Sequence, residues 1–301
     1  MTNPGKHPLA EVFGFRTDDL SETAERHQRL RLCPFNNKVP NCTKDKANSP
    51  LGVCSIYHHA PNREEPDVVI TCPIRFRQEW TIAEQAANFF FDADATWTSL
   101  TEIRLTDRKG RAAGNIDLVL VRYDERGKIL DFGSLEIQAV YISGNVRKPF
   151  EYYMDDRQNR AFMDWSELAD YYPRPDYLSS SRKRLVPQLL YKGGILQAWK
   201  KKQAVALQTS FFETLPPLPE TTSDQAEMAW FLYDLRPAEN GYSLVLNRVV
   251  YTEFQSALFE ITTPQPGDIQ DFMGALQNRL DQTLEGNPPD APTLGQLSTL
   301  E

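Results

Sequence analysis

The sequence predicts a mixed α/β or α+β domain, and three observations support this class. Apolar residues recur at helical spacing from Trp80 to Phe91, a β-rich middle follows, and helical and strand-like segments alternate after it. The middle contains two strong strand patterns, 115–123 (NIDLVLVRY) and 129–142 (ILDFGSLEIQAVYI). The charged turn DERGK joins them, so they are expected to form an antiparallel hairpin. No glycine-rich loop joins a strand to a helix as phosphate-cradling folds require, which argues against a nucleotide-binding fold.

The other elements follow from local signals. An early helix is expected after Asp18 or Ser21, either of which can cap it. The helix that follows Trp80 is expected to open with a capping box made by Thr81 and Glu84. The remaining expected segments are a weak strand at 99–105, a polar helical stretch at 150–171, a helix at 184–202 with Pro187 in its first turn, strands at 204–212, 228–235 and 242–252, and an amphipathic helix at 267–284.

All four cysteines lie in the first quarter of the chain, at Cys33, Cys42, Cys54 and Cys72. The segment around them is rich in Pro, Asn, Lys and Ser and short of periodic apolar residues, so we expect it to bury little without a staple. In a cytoplasmic protein, clustered cysteines more readily bind a metal than form disulfides. Their spacing contains no C-x₂-C pair, and His58 or His59 could compete as ligands. A tetrahedral Cys₄ site and four unrelated buried thiols both stay open, and the spacing does not identify a metal.

Polar residues stand on the predicted hairpin where apolar ones are expected. Asp117 lies between Ile116 and Leu118, and Glu136 and Gln138 share one face of the second strand. Carboxylates on two paired strands come close and repel each other unless a cation lies between them. Mg²⁺ prefers such oxygen ligands. An amphipathic hairpin with one solvent-exposed face would show the same alternation, so the pattern alone leaves both interpretations open.

The charge is unevenly distributed along the chain. The net charge is −8, yet residues 181–202 contain seven Lys/Arg and no Asp or Glu. Such a basic stripe can bind a phosphate backbone even on an acidic protein, or it can be a solvated helix face. No run approaches the roughly 20 apolar residues that a membrane span needs, and the N-terminus lacks a signal-peptide pattern. We therefore expect a cytoplasmic protein without a membrane partner.

Taken together, these residues resemble the NotI-type restriction endonucleases, a branch of the PD-(D/E)XK nucleases. That family combines a four-cysteine iron site near the N-terminus with a catalytic motif in which Gln replaces the usual Lys. The four cysteines match that set, and Asp117 with 136–138 (EIQ) matches the motif. Glu102 falls where the family places a further acidic active-site residue. The matches span residues 33–138, and the rest of the chain matches only in general character.

The resemblance implies a fold and a reaction. The fold would be a PD-(D/E)XK core, a central mixed sheet flanked by helices, with an N-terminal Cys₄ module. Asp117, Glu136 and the carbonyl of Ile137 would hold a catalytic Mg²⁺, Glu102 would assist, and Gln138 would orient water because an amide cannot act as a general base. The Cys₄ metal would be structural iron, with zinc as the alternative. The expected division is a Cys₄ region at 1–79, a catalytic and DNA-binding domain at 80–285 and a flexible tail at 286–301.

The implied substrate is double-stranded DNA in a bacterial cytoplasm. Cleavage would occur at a GC-rich palindrome, CGGCCG-like, and leave 5′ overhangs, with a homodimer placing one active site on each strand. Candidate DNA contacts are the basic residues Arg75, Arg77, Arg182, Lys183 and Arg184. Two other functions stay open: a nuclease of the same fold that acts in repair or on structured DNA, and a non-enzymatic metal-stapled DNA-binding regulator.

Overall fold

The computed structural model describes residues 7–36, 40–46, 49–59, 65–239 and 241–284. Residues Met1–Thr262 form one compact unit and Thr263–Glu301 a second. The predicted tail at 286–301 lies outside the described residues. No helix within the described ranges is both long and apolar enough to span a membrane.

Strands and helices alternate along the chain as the sequence predicts. The strands are β1 (Leu9–Val12), β2 (Phe15–Arg16), β3 (Asp45–Lys46), β4 (Ser49–Pro50), β5 (Val53–His58), β6 (Asp67–Ile70), β7 (Trp97–Thr106), β8 (Ala112–Tyr123), β9 (Ile129–Gln138), β10 (Ile142–Ser143), β11 (Arg174–Pro175), β12 (Gln203–Gln208), β13 (Met228–Ala238) and β14 (Gly241–Thr252). The α-helices are α1 (Glu22–Leu30), α2 (Thr81–Phe90), α3 (Arg147–Asp155), α4 (Arg157–Arg160), α5 (Tyr177–Ser179), α6 (Val186–Gln188), α7 (Gly194–Ala198), α8 (Thr209–Phe212), α9 (Phe254–Thr262) and α10 (Ile269–Leu284).

A mixed sheet lies at the centre of the first unit. Its strand order is β14-β13-β12-β9-β8-β7, and β12 runs parallel to both of its neighbours while the other pairs are antiparallel. The predicted hairpin is therefore confirmed as β8 and β9, and the central mixed sheet flanked by helices is confirmed with it. The second hairpin strand is shorter than predicted, because β9 ends at Gln138 and the backbone N–H of Val140, two residues later, donates to the carbonyl of Ile70 in β6.

Helices cover both faces of this sheet. In β12, Ala204 and Ala206 face the buried side of α2, whereas Val205 and Leu207 face the core that contains Leu189 of the helical stretch at 177–198. A strand that is buried on both faces reads as a continuous apolar run, which is why the sequence of β12 lacks a polar side. Each face is thus sealed from solvent, and polar groups inside it require partners.

The cysteine-rich segment folds as a sheet of its own, in the order β2-β1-β5-β6. The expectation that this segment buries little is wrong, because Val53, Ile56, Val69 and Ile70 are fully buried. β6 pairs with β5, and β5 in turn pairs with β1, which lies more than 40 residues earlier in the chain, so local composition does not reveal the sheet. The apolar side of β5 joins the same core as the helical stretch at 177–198 and β12.

The predicted capping box at α2 is also wrong. Thr81 is the first helical residue, and the preceding Glu79 and Trp80 have left-handed backbones with φ of 52° and 56°. The chain enters α2 from a 3₁₀ segment, Pro73–Trp80, so Thr81 lies inside the helix and its hydroxyl donates to the carbonyl of Gln78. The cap at α1 is as predicted, since Ser21 Oγ accepts a hydrogen bond from Ala24 N.

The helix predicted at 184–202 begins earlier and is irregular. Residues 177–198, here called the long helix, run through α5, a π segment at Ser180–Leu185, α6, a second π segment at Leu189–Gly193, and α7. Asp176 caps it by accepting from Ser179 N. Pro187 therefore lies in its middle, where the missing N–H removes one bond of the α-helical ladder. The π segments on either side of Pro187 shift the register of the following turns.

The other predicted elements agree with the structure apart from their ends. Strand 204–212 divides into β12 and α8, and the stretch at 150–171 forms α3 and α4 with a fully buried Trp165 beyond them. The amphipathic helix at 267–284 is present as α10, in the second unit.

His7 lies buried at the start of the N-terminal sheet. Its Nδ1 accepts a hydrogen bond from Leu9 N at 3.0 Å, and its ring packs 4.7 Å from that of Trp165. Burial lowers the pKa of His7 to about 4, against the opposing effects of Leu9 and Asp18. The unfolded chain binds this proton near pH 6.5, before the folded chain does, so stability is full above that pH and is lost as pH falls toward 4.

We expect His7→Gln to flatten this acid dependence. The wild-type free energy of unfolding should lose about 3 kcal/mol from this residue between pH 7 and pH 4. Urea unfolding at several pH values measures the slope, and His59→Gln serves as a control because His59 is exposed. An unchanged slope in His7→Gln would contradict the assignment.

Candidate active site

Two carboxylates face each other where β8 and β9 part. The pairing of the two strands runs from Tyr123 and Ile129 to Leu118 and Leu135. Beyond this last pair, the backbone N–H of Ile137 on β9 donates to the side chain of Asp117 on β8, with 2.8 Å between Ile137 N and Asp117 Oδ2. From Ser134 onward β9 pairs with β12, which holds it while β8 diverges. The gap places the carboxylates of Asp117 and Glu136 together at the end of the hairpin.

Glu136 is the most constrained group of the site. Its side chain is on the face covered by the long helix, and the residue is 6% exposed. Glu136 Oε2 accepts a hydrogen bond from Lys192 Nζ at 2.7 Å, whereas Oε1 is buried without a hydrogen-bond partner. Burial raises the pKa of Glu136 to about 7, with a further rise from the charge of Asp117 and an opposing effect of Lys192. A buried, unpartnered carboxylate oxygen beside a second carboxylate is a strong acceptor for a cation.

Gln138 lies on the same face as Glu136 and is 4% exposed. Its Nε2 donates a short hydrogen bond to Gln188 Oε1 in α6. The amide therefore has a fixed orientation, but it carries no charge and cannot take up a proton.

Lys192 is the site residue that the sequence did not reveal. It was counted with the basic stripe, yet it is 5% exposed and donates to Glu136 and to the carbonyl of Asn115. The signal was present in the helical period, because Lys192 falls in register with the buried Leu185, Leu189 and Leu196. A lysine on the buried face of an amphipathic helix requires an internal partner.

The register of the sheet places Glu102 near Asp117. Its neighbours Thr101 and Ile103 pair with Leu118 and Ile116, so Glu102 lies opposite Asp117. Its backbone is in the left-handed region with φ of 56°, and its side chain is exposed. It is not among the residues that line the cleft described next.

An open cleft of about 650 Å³ begins at the two strand ends. Its lining includes Asp117 and Gln138 of the two strands and Lys44 and Asp45 of the cysteine-rich segment. Arg184 and Arg147 line it as well. Arg147 was missed by the sequence analysis, and its guanidinium bonds Asp45 and Ser49. The cleft is wide enough for an extended polar ligand and has cations at its rim.

The four cysteines converge without forming a closed ligand set. Cys54 and Cys72 are buried, Cys33 and Cys42 are half-buried, and all four are free thiols. Burial raises the pKa of Cys33 to about 11, and it also raises the pKa of Cys42 and Cys54. The charge of Cys72 contributes to all three shifts, which places it near the other cysteines. Within the described residues, no three His, Cys, Asp or Glu side chains stand in an arrangement that holds a metal ion.

A half-buried lysine, Lys44, lies near these thiols. Lys44 Nζ donates to the carbonyls of Val53 and Thr71 and to the Thr71 hydroxyl, at 2.6, 3.1 and 2.9 Å. Burial lowers the pKa of Lys44, and the charges of Cys72, Cys54 and Cys42 oppose that shift. A partly desolvated ammonium is favoured by nearby negative charge, which thiolates would supply.

The predicted DNA contacts divide into two groups. Arg75 is fully buried, donates to Glu11, Gln78 and the carbonyl of Tyr242, and lies over the Phe35 ring. The prediction that it contacts DNA is therefore wrong, because none of its surface is accessible. Arg77 is half-buried over Trp80.

The basic stripe is likewise not one continuous surface. Arg182, Lys183 and Arg184 are exposed on the first π segment of the long helix, and Arg184 lies 4.8 Å over the Tyr141 ring. By contrast, Lys192 is inside the site, Lys201 pairs with Asp131, and Lys202 donates to the carbonyl of Phe89. Of the three exposed cations, Arg184 lines the cleft together with Asp117 and Gln138.

Comparison with known proteins now gives these features a family. The family described as Restriction endonuclease NotI matches residues 12–246, which is well over half of the chain and includes both carboxylates, Gln138, Lys192 and the four cysteines. No curated protein matches the chain. The chain therefore belongs to the NotI restriction endonuclease family and is a type II enzyme, a site-specific deoxyribonuclease.

Proposed function

We propose that the protein hydrolyses DNA phosphodiesters with Mg²⁺ held by Asp117, Glu136 and the carbonyl of Ile137, in a PD-(D/E)XK active site. The observation that carries this proposal is Glu136 Oε1, a buried carboxylate oxygen without a partner, next to the carboxylate of Asp117. Two carboxylates and a carbonyl are the oxygen ligands that Mg²⁺ prefers, so the residues present fit the ion. Bound there, Mg²⁺ would lower the pKa of a water and neutralise charge on the scissile phosphate.

The protein's own residues would position the substrate around that ion. Asp117 and Glu136 are fixed by Ile137 N and Lys192, so their orientation precedes binding. Gln138, held by Gln188, can donate or accept one hydrogen bond and so orient the attacking water. Glu102, opposite Asp117 in the sheet, would act on the solvent side, on a second ion or a water.

The substrate surface we propose is the rim of the cleft. Arg184 and Arg147 line it, and Arg182 and Lys183 extend the exposed positive charge along the long helix. Such cations would first contact phosphates, with Arg77 and the side chains that enter the major groove left to recognise bases. For the target we propose a GC-rich palindrome, CGGCCG-like, cut to leave 5′ overhangs by a homodimer. The proposed length of six base pairs is that of the target of the smaller family member EagI, which the sequence resembles.

For the cysteines we propose a structural Cys₄ site that binds iron, with zinc as the alternative. The charge of Cys72 acts on the other three thiols, and the ammonium of Lys44 would offset part of the negative charge of four thiolates. Metal binding would bring the thiols into tetrahedral contact, since ligation selects the thiolate form that burial disfavours.

We expect purified protein to contain about one iron or zinc per chain. Cys54→Ser should lower this content and the thermal unfolding midpoint together, because metal binding stabilises the folded state. Elemental analysis and thermal unfolding measure the two quantities. Chelation of the wild type should reproduce the shift in midpoint. A Cys54→Ser protein with unchanged metal content would contradict the site.

Plasmid digestion tests the proposed function. Incubation with Mg²⁺ followed by end sequencing should give discrete fragments with one palindromic site and uniform 5′ overhangs. Asp117→Asn provides the matched control and should leave the plasmid intact. Cleavage at branched or damaged DNA without a fixed sequence would favour a role in repair and overturn the restriction assignment. Cleavage that persists in chelator would overturn the proposed metal site.

A further inference from the structure

The buried face of the long helix carries a charged side chain, Lys192, next to one of the two carboxylates. Lys192 Nζ lies 2.7 Å from Glu136 Oε2 and 2.8 Å from the carbonyl oxygen of Asn115, and the side chain is almost fully buried. In β9 the residue two positions after Glu136 is Gln138, which brings no charge to the site. Among the described residues that bond the two carboxylates, Lys192 is the cation.

Three features of the backbone give the ammonium this position. Lys192 lies in the second π segment, Leu189–Gly193, a helical form that is often found at functional sites. The lysine stem passes Gly114, whose φ of 126° favours glycine, and a Cβ at that position would lie 3.4 Å from Lys192 Cδ. Gly193 allows the same helical turn to pack closely against α9 and β12, because a Cβ there would lie 2.7 Å from Phe254 and 2.9 Å from Gln203 Oε1.

The contact gives the two oxygens of the Glu136 carboxylate different environments. Oε2 is held by the ammonium, while Oε1 is left without a partner on the described protein. An ion pair of this burial is weak evidence for a stabilising role, since apolar residues of similar volume often serve as well. It does fix which oxygen is presented to an incoming ion and prevents rotation of the carboxylate.

We propose that Lys192 is the positioning residue of the active site, which holds Glu136 Oε2 so that Oε1 is presented to the catalytic cation. This rests on the proposed roles of Asp117 and Glu136. The long helix thereby supplies to the site a charged group that the strand motif lacks. Outer partners of metal ligands commonly change activity by about 10- to 100-fold when removed.

Lys192→Met tests this role in single-turnover cleavage at saturating Mg²⁺. We expect the rate constant to fall by about 10- to 100-fold, while the Kd for the same duplex, measured with Ca²⁺ in place of Mg²⁺, stays within about threefold. Lys192→Arg should recover most of the rate, because it keeps the donor. Lys202→Met is the matched control: Lys202 also donates to a buried carbonyl, that of Phe89, but does not contact Glu136. A wild-type rate in Lys192→Met, or a parallel loss of DNA binding, would overturn the proposal.

If Lys192→Met folds poorly, a double-mutant cycle of unfolding free energies tests the same contact. If Lys192 acts by holding the Glu136 carboxylate, the loss of urea stability in Lys192→Met should shrink in a Glu136→Gln background, because no unpaired carboxylate is then buried. Additive losses would overturn the proposal. Failure of the proposed function is separable: Asp117→Asn and Glu136→Gln would then cleave normally. If those two are inactive and Lys192→Met is fully active, only the role of Lys192 is refuted.

Discussion

Glu136→Gln is expected to lower the rate of DNA cleavage by on the order of 10³-fold or more, while binding to the recognition site stays within a few-fold. The substitution keeps the side-chain volume and an acceptor for Lys192 Nζ, which lies 2.7 Å from the carboxylate. It removes one of the two carboxylate charges of the proposed cation site, the other being that of Asp117. Cleavage and binding are separable because the exposed cations, such as Arg184, lie on the cleft rim rather than on β9.

The measurement combines single-turnover cleavage in Mg²⁺ with equilibrium binding of the same duplex in Ca²⁺. Glu213→Gln is a suitable control, since Glu213 ends α8 and is exposed. It should leave both quantities unchanged. If Glu136→Gln cleaved at more than about a tenth of the wild-type rate, or lost binding to the same extent as cleavage, the assignment of Glu136 as a metal ligand would be refuted.

Arg75→Met is expected to produce the largest loss of stability. The guanidinium and the Glu11 carboxylate are both essentially unexposed, with Arg75 Nε 3.0 Å from Glu11 Oε2. Removing one partner of a buried pair leaves the other charge without compensation, which costs about 3–5 kcal/mol. Gln78 and the carbonyl of Tyr242 would lose a donor as well.

Urea unfolding followed by circular dichroism measures this effect. Arg77→Met is the control, two residues along and half-buried over Trp80, and it should cost less than about 1 kcal/mol. The double variant Glu11→Gln/Arg75→Met should recover part of the loss, because no carboxylate is then stranded. An unfolding midpoint of Arg75→Met equal to that of the wild type would show that the pair is not structural.

These two residues also show how far local sequence predicts the site. Glu136 was found because a carboxylate interrupts an apolar strand, and strand alternation acts over neighbouring residues. Arg75 was misassigned because its partner, Glu11, is 64 residues away and only the N-terminal sheet brings them together. A count of charges cannot separate a surface cation from one with a distant buried partner.

The central sheet was predictable for the same reason as Glu136, and Lys192 was obscured for a different one. The hairpin of β8 and β9 depends on alternation and a short turn, both of which are local. The long helix combines a proline, two π segments and a basic run. These features obscure the helical spacing of its buried residues, on which Lys192 falls. Lys192 contacts Glu136 of β9, a strand far from it in the sequence, so only the folded structure shows that this lysine belongs to the site.

The side chain of Gln208 links the central sheet to the N-terminal sheet, because it makes the hydrogen bonds to β6 that the backbone of a neighbouring strand would make. At the end of β12 its side-chain amide accepts from Ile70 N at 2.8 Å and donates to the carbonyl of Val68 at 2.6 Å. Val140 N adds a third bond, to the carbonyl of Ile70. A chimera that grafts the cysteine segment of another family member onto this chain must therefore preserve the edge of β6 to which Gln208 bonds. Exchange of target preference by recombination would succeed more readily within the cleft rim than at the junction of the two sheets.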